Sequence, residues 1–290
     1  MAVTTSRRPP VLRRSKAPGE LSKKVWTSGV LWLLVAVYGF PGLWFVLSSF
    51  KSAGELFSYP LTLFPRHATV SGYTRAWTSF DFARYFSNTL IVAISATLLT
   101  IVASATAGYA LAKYNNWWLK IFTLCILATT MLPSEVILSP LFLVVRDLGL
   151  YNNLAGVVVP AVITATGTFM FRQFFLTVPN DLLEAARIDG SGEVSTFLRI
   201  MLPLARPIVM TLAIFSFQWR WNDYIWPLVV LNNPKEFTLQ IGVASIVGAE
   251  NVNWSVLLGA SVLSMIPLVA IYLVFQKYVM NADLSAGLKD

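Results

Sequence analysis

The chain has 290 residues, of which 56% are hydrophobic and only 12% charged, and its mean hydropathy is +0.64. A water-soluble domain carries roughly 25% charged residues, so an aqueous fold is excluded and an all-α, polytopic membrane protein is expected. The net charge of +8 does not imply a nucleic-acid partner, because its basic residues cluster beside an apolar run and no basic binding arm fits so hydrophobic a chain.

Arg7, Arg8, Arg13, Arg14, Lys16, Lys23 and Lys24 precede the first apolar run. Residues 1–24 are therefore expected to form a disordered basic cytoplasmic tail, holding the N-terminus inside by the positive-inside bias. The run at 25–50 is longer than a signal-peptide core, and no A-x-A site follows it. It is read as a retained first transmembrane helix. With the long outer loop that follows, whose Trp77, Phe80, Phe82, Tyr85 and Phe86 suit a membrane interface, it makes a first unit of 25–85.

A core of 86–280 then holds five further spans, at 90–111, 121–145, 154–175, 208–231 and 256–275, before a tail of 281–290. All six are expected to be helices, since the short alternating strands of a barrel are lacking. An even count returns the C-terminus to the cytoplasm. The basic residues of the loops agree with this orientation: Lys113, Lys120, Arg172, Arg187, Arg199 and Arg206 fall inside.

Two charges fall within spans. Counted at about 1.5 Å per residue, Glu135 and Arg220 lie about 21–22 Å from the inner face. Intramembrane charges face a cavity or a partner, and Asp223 follows Arg220 by one helical turn. Arg220 is thus expected to pair with Glu135, Asp223 or both. With Trp219, Trp221, Asn222 and Tyr224, these residues form a candidate solute pathway, because aromatic faces with polar edges beside charges can line a polar route. The same residues also suit an interface belt and a bundle-organising salt bridge.

Between the fourth and fifth spans, residues 177–206 form a cytoplasmic loop too long for a turn. Asp181 is placed to cap a first short helix, with Glu184 closing a capping box. Gly190 is placed to stop it. Ser191 then caps a second helix running to Leu202, which Pro203 ends. No G-x-x-x-x-G-K-[ST] phosphate loop occurs. His67 is the only histidine and Cys125 the only cysteine, so neither a metal cluster nor an intrachain disulfide is expected.

The string Glu184-Ala185-Ala186, three residues, Gly190, nine residues, Ile200, one residue, Leu202-Pro203 resembles the EAA loop of binding-protein-dependent ABC importer permeases. Three other stretches are similar to carbohydrate-uptake permeases of the maltose-type second-subunit kind. These are Asn88-Thr89-Leu90 through Gly108-Tyr109-Ala110-Leu111-Ala112, Trp221-Asn222-Asp223-Tyr224-Ile225-Trp226-Pro227-Leu228, and Leu284-Ser285-Ala286-Gly287-Leu288-Lys289. The resemblance covers roughly residues 30–290, with Ser285 standing where threonine is commoner.

The resemblance implies a type I importer permease fold in a bacterial cytoplasmic membrane. It also implies coupling to an ATPase through Glu184, Ala185, Ala186, Arg187, Asp189, Gly190, Ile200, Leu202 and Pro203. The chain itself would be non-catalytic and bind no cofactor, with ATP and Mg on partner subunits. The implied partners are a second homologous permease, two ATP-binding subunits and an extracytoplasmic solute-binding protein. The solute would be a di- or oligosaccharide, or glycerol-phosphate. An ion-coupled secondary transporter and a membrane scaffold are the alternative classes.

Overall fold

A computed structural model describes the backbone of residues 18–287 and the side chains of residues 26–276. No strand occurs among the described residues. Helix α1 (Pro18–Ser48) begins inside the stretch expected to be a disordered tail, whose residues 1–17 lie outside the described ones. From Trp26 to Trp44 every α1 side chain is exposed. An apolar helix of this kind takes lipid, or a neighbouring helix, as its solvent. The segment that follows holds a one-turn helix, Ala53–Leu56, and α2 (Ser71–Ser79).

The axis of the molecule is α3 (Phe82–Lys113), 32 residues and about 48 Å long. It starts after Asp81, whose left-handed backbone (φ 52°) turns the chain into the helix. Asn88 and Thr89, at the head of one family-like stretch, tie down the distant loop at 235–239. The Asn88 amide donates to the carbonyls of Lys235 and Phe237 at 2.9 and 3.0 Å, and Thr89 Oγ1 accepts from the Leu239 amide at 2.7 Å.

The buried face of α3 then runs through Ala93, Ala96, Thr97, Thr100, Ser104, Ala105 and Gly108. Small residues let helices approach closely where no hydrophobic force separates protein from lipid. Hydroxyls on this face find partners across the bundle: Thr97 Oγ1 donates to Ser216 Oγ at 3.3 Å, and Thr100 Oγ1 to the Ala161 carbonyl at 2.7 Å. At Gly108 a Cβ would lie 2.6 Å from Phe171 Cβ and 2.8 Å from the Arg172 nitrogen of the facing helix α7 (Ala165–Thr177). Backbone cannot step aside as a flexible side chain does. Gly108→Val is therefore expected to lower the thermal midpoint and yield of the purified chain, at an overpacking cost of about 1–3 kcal/mol. An unchanged midpoint would show that α3 and α7 can separate freely.

Two expected spans are broken. The stretch at 121–145 consists of α4 (Trp117–Thr129) and α5 (Ser134–Asp147), which meet at 114°. The Thr129 and Thr130 hydroxyls donate back to the carbonyls of Ile126 and Leu127, each at 2.7 Å, and Pro133 has no N–H to continue the ladder. A depth counted straight up one helix from Lys120 to Glu135 therefore fails.

The stretch at 208–231 also divides. Its first part, α10 (Arg206–Asn222), ends at an extended Asp223, and α11 (Ile225–Val230) follows. Between α3 and α10 come α6 (Leu154–Val158), α7, and two loop helices, α8 (Asp181–Ile188) and α9 (Glu193–Leu204), the latter meeting α10 at 74°. After the loop at 231–238 come α12 (Leu239–Val247) and α13 (Trp254–Gly287). Among the described residues four helices are long and apolar enough to cross a membrane, and up to six when each bent pair counts as one span. The side chains of the string at 284–289 lie outside the described ones.

Candidate functional site

Helix α8 packs beside the last turn of α3, at one end of the bundle. Its Leu183 is buried in a cluster with Phe171, Phe175, Met201, Ala205 and Leu212, and Ala186 is buried as well. Its other face, Leu182, Glu184, Ala185, Arg187 and Ile188, is exposed, with Ile188 at 87%. Helix α9 adds the exposed Val194, while Ile200, Leu202 and Pro203 are half-buried and secure the loop.

The local reading of this loop needs correcting in three places. Asn180, not Asp181, occupies the N-cap, and it makes no side-chain cap. Its Oδ1 instead accepts from Lys113 Nζ at 3.0 Å, so the capping box expected of Glu184 does not close. Ser191 caps nothing; the helix starts after Gly192, and Ser191 Oγ accepts from Thr196 Oγ1 at 3.2 Å. Pro203 does not end α9, which runs on to Leu204 through a π-helical segment, Phe197–Met201. Proline enters at the first turn after that segment, where its missing N–H costs least.

Gly190 behaves as expected, with φ +76° and open space around the position of a Cβ. Its amide donates to the Arg187 carbonyl at 3.0 Å and that of Ser191 to Ala186 at 2.9 Å, closing the α8 terminus as a Schellman-type turn.

Sequence reasoning missed the residues that hold this loop to the core. Tyr114, just past the end of α3, donates its hydroxyl to Glu193 Oε2 at 2.7 Å. Glu193 Oε1 accepts from Arg187 Nη2 at 2.8 Å. Lys113 Nζ also donates to the Val178 carbonyl at 2.6 Å. Hydrogen bonds from Tyr114 and then Arg187 hold the Glu193 carboxyl below its ordinary range, and the bond to Glu193 pushes the Tyr114 phenol up to about 12. The contact is therefore lost only as pH falls through the lowered Glu193 value or rises through about 12. No local pattern signals it, since 79 residues separate the partners.

The second candidate region lies where α5, α10 and α11 meet. A cavity of about 420 Å³ is lined by Glu135, Arg220, Asp223, Trp219 and Trp226, together with apolar residues of α5. An adjoining one of about 380 Å³ is lined by Thr100, Thr164, Ser216 and, on the shared wall, Trp219 and Arg220. A third, of about 510 Å³, takes in Trp219, Asn222, Asp223 and Tyr224.

Six of the seven expected pathway residues thus line these three neighbouring cavities. Trp221 does not. It is fully buried, stacked on Phe217 at 5.5 Å and edge-on to Phe86 at 5.3 Å, with Nε1 donating to the Ser264 carbonyl at 2.9 Å. It is a core residue.

The expected ion pair is also absent. None of the three ion pairs among the described residues includes Arg220, Glu135 or Asp223. Because α10 stops at Asn222, Asp223 leaves the helical register, and its Oδ1 accepts from the Trp226 amide at 3.4 Å, at the start of α11. Glu135 sits in the first turn of α5, where a helix favours negative charge, and Oε1 accepts from Ser134 at 3.1 Å. Arg220 reaches only the Ala161 carbonyl, at 3.4 Å, and its buried Nε has no partner.

Comparison with known proteins bears on both regions. Residues 101–281 match the model of the family described as binding-protein-dependent transport system inner membrane component. The arabinooligosaccharides transport system permease protein AraQ of Halalkalibacterium halodurans is 34% identical over 91% of this chain and 98% of its own. The diacetylchitobiose uptake system permease protein NgcG of Streptomyces coelicolor is 33% identical over 86% and 82%. The sn-glycerol-3-phosphate transport system permease protein UgpE of Yersinia enterocolitica is 31% identical over 86% and 90%.

The fold is also that of a chain from the crystal structure of a bacterial ABC transporter involved in the import of the acidic polysaccharide alginate. That chain superposes with a TM-score of 0.81 at 24% identity, over 91% of this chain and 99% of its own. With its bent helices and its family-matched core, this chain belongs to the inner membrane components of binding-protein-dependent transport systems.

Proposed function

We propose that the chain is one permease subunit of an ATP-driven importer for a neutral oligosaccharide or a similar polyhydroxylated solute. A second homologous permease faces it, two ATP-binding subunits hydrolyse ATP with Mg on the cytoplasmic side, and an extracytoplasmic protein delivers the solute. Both termini lie in the cytoplasm. The exposed face of α8 docks on an ATP-binding subunit, through Glu184, Ala185, Arg187, Ile188 and Asp189. Gly190 and the half-buried Ile200, Leu202 and Pro203 set the angle of that face.

The observation that carries the solute reading is the cavity at Arg220. Its volume falls within the range of about 300–1,000 Å³ typical of small-molecule sites. Its wall offers two carboxylates that accept from hydroxyls, one guanidinium that donates, and the faces of Trp219 and Trp226 for the C–H surface of a sugar. Two carboxylates against one cation favour a neutral solute over a phosphate or sugar acid. Arabinooligosaccharides and diacetylchitobiose, named for two relatives, have the chemistry that such a wall would accept.

The test is ATPase stimulation of the assembled importer in proteoliposomes by an arabinooligosaccharide, diacetylchitobiose or sn-glycerol-3-phosphate. A severalfold rise with a neutral sugar and none with the phosphate is expected. Stimulation by the phosphate alone would remove the charge argument. Uptake driven by an ion gradient without ATP would remove the importer reading.

A further inference from the structure

We propose that Tyr114 and Glu193 are positioning residues of transport, forming the joint through which movement of the cytoplasmic loop reaches the cavity. The proposal rests on the reading of residues 177–206 as the ATPase-coupling loop. It adds what lies behind the docking face.

The joint gathers three elements on one carboxylate. Glu193 Oε2 takes the Tyr114 hydroxyl from the end of α3, and Oε1 takes Arg187 from α8, while Glu193 itself opens α9. Next to it, the Tyr109 ring packs against Tyr114 at 6.1 Å, Phe197 of α9 at 5.2 Å and Phe175 of α7 at 5.7 Å. Lys113 holds the entry of the loop through Val178 and Asn180. Both loop helices are thus tied to the last turn of α3. Each α8 or α9 displacement is imposed on that helix.

The same helix reaches the cavity. Thr100 of α3 lines the cavity of about 380 Å³, whose Arg220 and Trp219 wall is shared with the larger one, about 21 Å from Tyr114 along the helix axis. Thr100 bonds the Ala161 carbonyl, which also takes Arg220, and Thr97 bonds Ser216 of α10. A rigid helix clamped at both ends is a physical path between the sites, of the kind that coupling requires. Exposed polar pairs like those at Glu193 add little to folding stability, so Tyr114→Phe, which deletes one oxygen, should leave the fold intact.

The test uses the complete importer with its binding protein, in membranes, in a Cys125→Ser background. A reporter cysteine, Ser134→Cys, sits in the wall of the larger cavity, beside Glu135. Its labelling rate by a membrane-impermeant thiol reagent is read with and without Mg-ATP and vanadate. The intact joint should give a severalfold nucleotide-dependent change. Tyr114→Phe and Glu193→Ala should each cut that change at least threefold while ATP hydrolysis continues, and Glu193→Gln, which keeps one acceptor oxygen and so can hold only one of the two bonds, should restore part of it. The double Tyr114→Phe/Glu193→Ala variant should be no worse than Glu193→Ala.

An undiminished labelling response would overturn the proposal. So would loss of the ATP-binding subunits in these variants, which would make the contact one of assembly alone. Retention of those subunits when Ile188 is replaced by aspartate would instead sink the underlying reading of the loop.

Discussion

Ile188→Asp is expected to strip the ATP-binding subunits from the purified permease, leaving the permease itself folded. Ile188 is 87% exposed at the end of α8, yet its neighbours Leu183 and Ala186 are buried and anchor the helix. Covering an isoleucine contributes about 1.5–3 kcal/mol. A carboxylate in the same cleft adds a desolvation cost of its own. The sum weakens association by on the order of a hundredfold or more.

Glu184→Lys inverts a charge in the first turn of the same helix, also exposed, and should act in the same direction but more weakly. Quantitative co-purification over a range of detergent-solubilised concentrations measures both. If Ile188→Asp retains the ATP-binding subunits at wild-type stoichiometry, the docking face lies elsewhere. Gly190 provides a contrast. A β-branched residue there meets no clash, because the space is open. It meets only the left-handed backbone at φ +76°, a penalty of about 1–2 kcal/mol. Its effect should therefore be partial uncoupling and not loss of the complex.

What sequence made legible follows from the range of each interaction. Composition alone reports the solvent, so the bilayer was evident from the ratio of apolar to charged residues. Gly190 was readable because a left-handed helix terminus is a local event with a residue type attached to it. The fold family was readable because the EAA-like string keeps its residues at fixed spacing. The break at residues 130–133 was signalled only by Pro133, and the sharpness of the bend was not legible. Hydropathy averages over a window, and Thr129, Thr130, Met131, Leu132 and Pro133 bring no charge to interrupt it. The bend came from threonine hydroxyls competing for carbonyls.

Capping failed for a related reason. Asp181 and Ser191 have the right chemistry, but Lys113 had already recruited Asn180, and the turn closed through backbone groups instead. Trp221 looked like its aromatic neighbours in sequence. Only the crossing of α3 and α13 decides that its ring is enclosed by Phe86 and Phe217. Helical spacing also suggested that Asp223 lies one turn from Arg220, and the end of α10 between them made that inference fail.

Arg220→Met is expected to leave the assembled importer as stable as before, or to raise its thermal midpoint, while lowering solute uptake at least tenfold. The stability half follows from what surrounds the guanidinium. It makes one long bond, 3.4 Å to the Ala161 carbonyl, and that carbonyl is already satisfied by Thr100 at 2.7 Å. Its Nε is buried without a partner. A cation inside a membrane span costs about 3 kcal/mol on insertion scales, and replacing a poorly compensated charge by an apolar side chain of similar length removes that cost.

The uptake half follows from position. Arg220 stands in the wall between two cavities, with Glu135 and Asp223 lining one and hydroxyls of Thr100, Thr164 and Ser216 lining the other. A charge kept there against stability has its use when solute enters or when α5 and α10 move relative to one another. Arg220→Lys should recover part of the uptake, because it restores the charge without the planar fork of donors. Thermal unfolding and uptake measured on the same three preparations separate the two roles. Should Arg220→Met unfold at a markedly lower temperature, the arginine is a strut of the bundle. Should it transport normally, the cavity at α10 is no part of the solute path.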